Sequence, residues 1–135
     1  MRNIKYIAIH CTAGRQTQSI RDLQAEFKAK GWKSPGYHYV IEPNGKLTKL
    51  LDSSMVSNGV QGYNSVTINI AYIGGIDKNL NPIDNRTKEQ KETIVNLLQF
   101  LRKEYPNAVI QGHRDFPNVA KECPCFDAKD EYKDI

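Results

Sequence analysis

The chain has 135 residues, 39% hydrophobic and 25% charged, with a formal net charge of +4. That length suits one compact domain with its own core, spanning residues 1–135, and the composition excludes disordered, collagen-like and membrane-spanning classes. Lysines and arginines are scattered rather than run together or interleaved with aromatics, so no nucleic-acid partner is expected, and the excess charge argues only weakly for an anionic one.

The first residues, "MRNIKYIAIHCTAG", hold no apolar run of signal-peptide length, because His10 interrupts the only candidate. The expectation is a cytoplasmic protein without membrane association. Within that stretch, residues 4–10 read as a buried strand ending at His10. A helix follows from Ser19 to Gly31: Ser19 and Asp22 have capping-box spacing, Ile20, Leu23 and Phe27 share one face, and Gly31 suits the stop.

In "GYHYVIEPNGKLTKLL", residues 36–51, two β-prone runs flank Asn44-Gly45, a pair that tolerates the positive φ angles of a tight hairpin turn. Alternation along the first run puts Tyr37 and Tyr39 on one face and His38 on the other. Residues 65–75 predict another strand ended by Gly74 and Gly75, then a polar loop over 77–86. Thr87 and Gln90 open a second helix as a capping box; Ile94, Leu97, Leu98, Leu101 and Tyr105 form its apolar stripe, and Pro106 stops it. "NAVIQGH" returns as a strand ending at His113, and a short last helix begins near Asp127. This order predicts an α/β fold: a mixed central sheet of about five strands flanked by helices.

Each outer strand of that scheme ends in a histidine, and parallel neighbours would release His10 and His113 at the same sheet edge, where ligands usually bind. Two histidines and a thiolate fill three corners of a tetrahedral zinc site and leave the fourth open, the arrangement of a catalytic zinc. Cys123, next to Pro124, is the natural third ligand. Three cysteines, with 123 and 125 almost adjacent, make no disulfide framework, although Cys11 and Cys125 are further thiols able to compete for metal or oxidise.

The ordered set "IAIHCTAG", "GWKSPGYHYVIEPNGKL", "YNSVTINIAYIGGID", "GHRD" and "KECPCFD" resembles the zinc-dependent N-acetylmuramoyl-L-alanine amidases of the bacteriophage T7 lysozyme type, relatives of the peptidoglycan recognition proteins. The resemblance implies their fold, Zn2+ as cofactor and hydrolysis of the amide between the lactyl group of N-acetylmuramic acid and L-alanine in peptidoglycan. It makes His10, His113 and Cys123 the zinc ligands, Tyr37 the catalytic tyrosine and Lys121 the catalytic lysine. Zinc would acidify water and polarise the amide carbonyl, Lys121 would stabilise the developing oxyanion, and the Tyr37 phenol would orient water or donate to that oxygen.

Arg114 and Asp115 are expected to pair with each other or to support His113, while Thr12, Ala13 and residues 62–66 should flank the groove. Cys125 departs from the family pattern, as does the longer interval from His113 to Cys123. The leading reading is a monomeric phage or prophage lysin acting on the cell wall after release. Two others stand beside it: a muropeptide-binding module without turnover, and a hydrolase using Cys11 or Cys125 as nucleophile.

Overall fold

The structure is a computed structural model that describes residues 2–135. In chain order it holds β1 (Tyr6–Cys11), α1 (Ile20–Ala29), β2 (Tyr39–Ile41), β3 (Leu47–Lys49), β4 (Thr67–Tyr72), α2 (Lys88–Glu104), β5 (Val109–Gly112) and α3 (Ala128–Glu131). Single 3-10 turns occupy Asn64–Val66 and His113–Asp115. The strands form one mixed sheet in the order β3-β2-β4-β1-β5, with β2 and β3 antiparallel and every other pair parallel. β1 lies inside the sheet beside β5, which with β3 forms its edges, so the two strands that lead to the histidines are parallel neighbours as the sequence reading supposed. No helix among the described residues is long and apolar enough to cross a membrane.

The period of two along each strand sorts side chains onto two faces. Ile7, Ile9 and Cys11 of β1 and Ile68, Ile70 and Tyr72 of β4 point to one face, where they pack with Ile94, Leu98 and Leu101 of α2 and Ala128 of α3. On the opposite face Val40 and Ile73 meet Leu23 and Phe27 of α1. Ala8 and His10, and across from them Asn69, belong to this second face.

Both long helices begin as their sequences dictate. Ser19 accepts from the Asp22 N–H while Asp22 accepts from that of Ser19, and Thr87 and Gln90 repeat the exchange for α2. Gln90 is fully buried, and its amide donates to the carbonyls of Ile41 and Ile73, pinning the start of α2 to the ends of β2 and β4. Removing Leu23 and Phe27 from water stabilises α1 against the sheet by roughly 1.5–3 kcal/mol each.

The hairpin turn differs from the expected two-residue form. Gly45 donates to Glu42 and Glu42 to Lys46, so the turn is longer, and of the Asn44-Gly45 pair only Gly45 takes a positive φ, +87°. Asn44 serves instead by accepting the Lys46 N–H. A β-carbon on Gly45 would also press on Glu89 at 3.0 Å.

Three further boundaries move. β1 runs one residue past His10, residues 64–66 form a 3-10 turn before β4, and β5 stops at Gly112 so that His113 opens a turn. Because β2 starts only at Tyr39, alternation does not extend back to Tyr37. Tyr39 packs beneath α2, whereas Tyr37 packs on the α1 side beside Phe27.

Candidate active site

The parallel pairing of β1 with β4 and β5 brings three strand ends together. His10 and His113 meet there with ring centroids 4.7 Å apart, although one belongs to β1 and the other follows β5. Ligand atoms of His10, His113 and Cys123 lie within 4.8 Å of one another. Tyr37 and Lys121 line the same cleft of about 200 Å3, which opens beside them into a hollow of about 600 Å3. All five residues singled out in the sequence are thus gathered at one place.

The two imidazoles are held differently. His10 is 1% exposed, and its Nε2 donates to Asn69 Oδ1 at 2.8 Å, leaving Nδ1 with a free lone pair. Burial drives its pKa down to about 4, with Lys121 adding to the fall and the Asn69 bond opposing it. His113 is half-buried and close to His10 and Lys121; burial first, then those charges, take it to about 3. Both rings are neutral at pH 7, the form a metal needs.

Cys123 is placed from both sides. The Cys11 backbone N–H donates to its sulfur at 3.2 Å, and the Arg114 N–H donates to its carbonyl. The neighbouring thiols differ. Cys11 turns its side chain into the α2 face, and its hydrogen bond with Cys123, then burial, holds its thiol protonated. Burial and the proximity of Cys11 push Cys125 up to about 12. Neither is a thiolate nucleophile at neutral pH, and neither belongs to the ligand cluster.

Tyr37 is fixed by edge contact with Phe27, its ring 5.1 Å from that of His10, and burial raises its phenol well above the ordinary range. It is a neutral donor at any working pH. Lys121 is exposed, on an irregular segment whose downstream end is anchored by the Tyr72 hydroxyl donating to Pro124 O and by Arg86, whose guanidinium lies 3.4 Å from the Phe126 ring. Arg86 also binds Asp84, Glu131 and Tyr132.

Asp115 does not support His113: it accepts from the Gly112 N–H and closes the 3-10 turn. Arg114 and Asp115 form no ion pair among the described residues. Thr12, Ala13, Gly62 and Tyr63 do line the two hollows, while Asn64 accepts from Val60 N–H and shapes the loop. His38 is a fully buried structural hub. Missed altogether were Asn69, Ser57 and Trp32, the last half-exposed between the two hollows with Lys30 over its ring.

A neutral two-imidazole, one-thiol cluster beside a hydrogen-bond donor and a cation is equipped to polarise a carbonyl and stabilise the oxyanion that follows, which defines the class as a hydrolase with a candidate metal centre. More particularly, the chain belongs to the N-acetylmuramoyl-L-alanine amidase family, whose profile matches residues 1–126. It is 35% identical to the endolysin of Klebsiella phage KP32 over 125 residues, covering 91% of this chain and 82% of that one. Among solved structures it is similar to the Ph2119 endolysin from the Thermus scotoductus bacteriophage Ph2119, with a TM-score of 0.78, 28% identity, and coverage of 92% and 79%. Drosophila PGRP-LB shares the fold at a TM-score of 0.76 and 20% identity, over 92% of this chain and 76% of that one.

Proposed function

We propose that this peptidoglycan amidase works as a zinc enzyme over residues 1–135, cleaving the bond between the lactyl group of N-acetylmuramic acid and L-alanine, with His10, His113 and Cys123 as the metal ligands. The observation that carries the reading is the approach of those three donors within 4.8 Å, in the cleft that Tyr37 and Lys121 also line. A set of two neutral imidazoles and one sulfur fits Zn2+ and leaves a coordination position open. When bound, Zn2+ supplies Lewis acidity and makes water acidic enough to ionise near neutral pH.

The chain's own groups do the rest. Tyr37, kept neutral by burial, donates its phenolic hydrogen to oxygen at the reacting carbon. Lys121 brings a full positive charge to the mouth of the cleft, where it favours the oxyanion over the planar amide. The Cys11 N–H keeps the Cys123 sulfur in register with β1. The hollow bounded by Trp32, Tyr63 and Lys121 accommodates the muropeptide next to the scissile bond. In this reading the protein is a phage-type lysin, monomeric and cytoplasmic until it is released onto the wall.

Mass spectrometry of purified peptidoglycan digested with zinc-loaded protein tests the assignment. Stem peptides that begin with L-alanine, lost on chelation and restored by zinc, are expected. Glycan and stem that stay joined with zinc bound would overturn it in favour of a muropeptide receptor.

A further inference from the structure

A buried polar chain runs from His10 away from the cleft, and the backbone fixes the tautomer of His38 at its far end. The Asn69 backbone N–H can only donate, and it points at His38 Nδ1 from 3.0 Å, so Nδ1 must be the bare nitrogen of that ring. His38 Nε2 then carries the hydrogen, and it faces the Met55 carbonyl, which can only accept, at 2.7 Å. Both ends agree on one tautomer. Arg2, 3.4 Å from the same Nε2, therefore makes no hydrogen bond with it and satisfies itself on carbonyls instead.

The chain continues through Ser57. Its Oγ lies 3.1 Å from His38 Nδ1, whose single lone pair the Asn69 backbone N–H already occupies, and it accepts from Asn69 Nδ2 at 2.7 Å. With Nδ2 toward Ser57, the Asn69 carboxamide turns its Oδ1 to His10 Nε2 at 2.8 Å. An oxygen that only accepts requires the hydrogen on Nε2. His38, Ser57 and Asn69 are all fully buried, so water offers none of them an alternative partner. Gly59 completes the enclosure: a β-carbon there would overlap the Asn69 side chain.

We infer that Asn69, locked by Ser57 and His38, is a positioning residue that fixes the Nε2–H tautomer and ring orientation of His10, so that Nδ1 is presented to the metal. A histidine free to exchange tautomers or rotate loses part of its ligand strength, and groups in this position typically change metal affinity by about 10–100-fold. The direction at His10 follows from the Asn69 carboxamide, which gives Nδ2 to Ser57 and turns Oδ1 to the ring. Sequence separation hides the device, since the parallel pairing of β2 with β4 brings residues 38 and 69 together and a loop adds Ser57.

The inference rests on the zinc reading, and the experiment separates the two. Protein labelled with 15N-histidine is examined metal-free by long-range proton–nitrogen NMR, and Zn2+ affinity is measured by competition with a chromophoric chelator. Wild-type His10 is expected as the Nε2–H tautomer. Asn69→Leu is expected to bind Zn2+ about 10–100-fold more weakly, Ser57→Ala a few-fold more weakly, and Asn69→Asp, which keeps an acceptor toward His10, close to wild type. Co2+ absorption should report a changed ligand field in Asn69→Leu and an unchanged one in Asn69→Asp.

An Nδ1–H tautomer in wild-type protein would overturn the inference whether or not any variant folds. Undiminished Zn2+ affinity in folded Asn69→Leu would overturn it too, while leaving the zinc reading intact. Wild-type protein that binds no Zn2+ would overturn both.

Discussion

His10 and His113 face each other across 4.7 Å, yet they belong to differently built regions. His10 sits inside the sheet, with β4 on one side and β5 on the other, and a buried side chain grips its outer nitrogen. His113 opens a 3-10 turn on the irregular side, half-exposed, and neither of its ring nitrogens has a protein hydrogen-bond partner among the described residues. Cys123 and Lys121 share that second region. One wall of the cleft is thus cast by the core, and the other is a strap fastened at a few points. In the proposed zinc site the fixed ligand, His10, would set the metal position and the other two would close on it.

The largest effects should come from removing ligands, and they should divide by region. His10→Ala, His113→Ala and Cys123→Ala are all expected to abolish zinc retention and amide cleavage, read by metal analysis and product mass spectrometry. Metal-free stability should separate them. His10→Ala strands the Asn69 carbonyl in the core at a cost of about 1–3 kcal/mol, whereas His113→Ala should change chelated protein by no more than about 0.5 kcal/mol. Equal losses in urea denaturation would erase the distinction between cast wall and strap.

Next come the groups proposed to act on substrate. Lys121→Ala should lower kcat by about 10²–10³-fold, and Tyr37→Phe by about 10²-fold, both with zinc content unchanged. A Lys121→Ala protein with normal turnover would show that the strap supplies only a ligand.

The strap's distal fastening gives a smaller effect. Arg86→Met leaves Asp84 and Glu131 without their partner and should cost about 2 kcal/mol, measured by chemical denaturation, with turnover reduced less than by Lys121→Ala.

The same cluster predicts a pH dependence. Burial raises Asp84, but its bonds to Arg86 outweigh that and hold it below its ordinary value; the Arg86 hydrogen bonds lower Glu131 as well. Both carboxyls are depressed in the folded state, so the unfolded chain takes up more protons as the pH drops through about 4. The stabilisation is complete above that value and disappears as the pH falls through the folded values. Melting temperature from about pH 5 to about pH 3 should fall more steeply in wild type than in Arg86→Met.

Much of this architecture can be read from local pattern. Capping boxes at Ser19 and Thr87, the apolar stripe from Ile94 to Leu101 and the three candidate ligands all depend on residue type and near neighbours, which a sequence displays. Tyr37 was recognisable in its motif but not in its orientation, because alternation holds only inside a strand and β2 begins at Tyr39. Asp115 looked like a partner for His113 until the strand ended one residue early and a turn claimed its carboxylate. Asn69 had no local signal at all: it reads as a polar interruption of "TINIAY", and its use depends on parallel register and on a loop twelve residues away.

One consequence of the sheet order concerns time. β1 is the first strand made, but both of its partners, β4 and β5, come later in the chain, and the proposed ligand set is completed only at residue 123. A growing chain therefore carries His10 through nearly the whole of its synthesis with nothing to coordinate alongside it. If the proposed ligands are the working ones, any product that stops short of Cys123 has an incomplete donor set, so a truncated translation product would have no zinc-dependent activity.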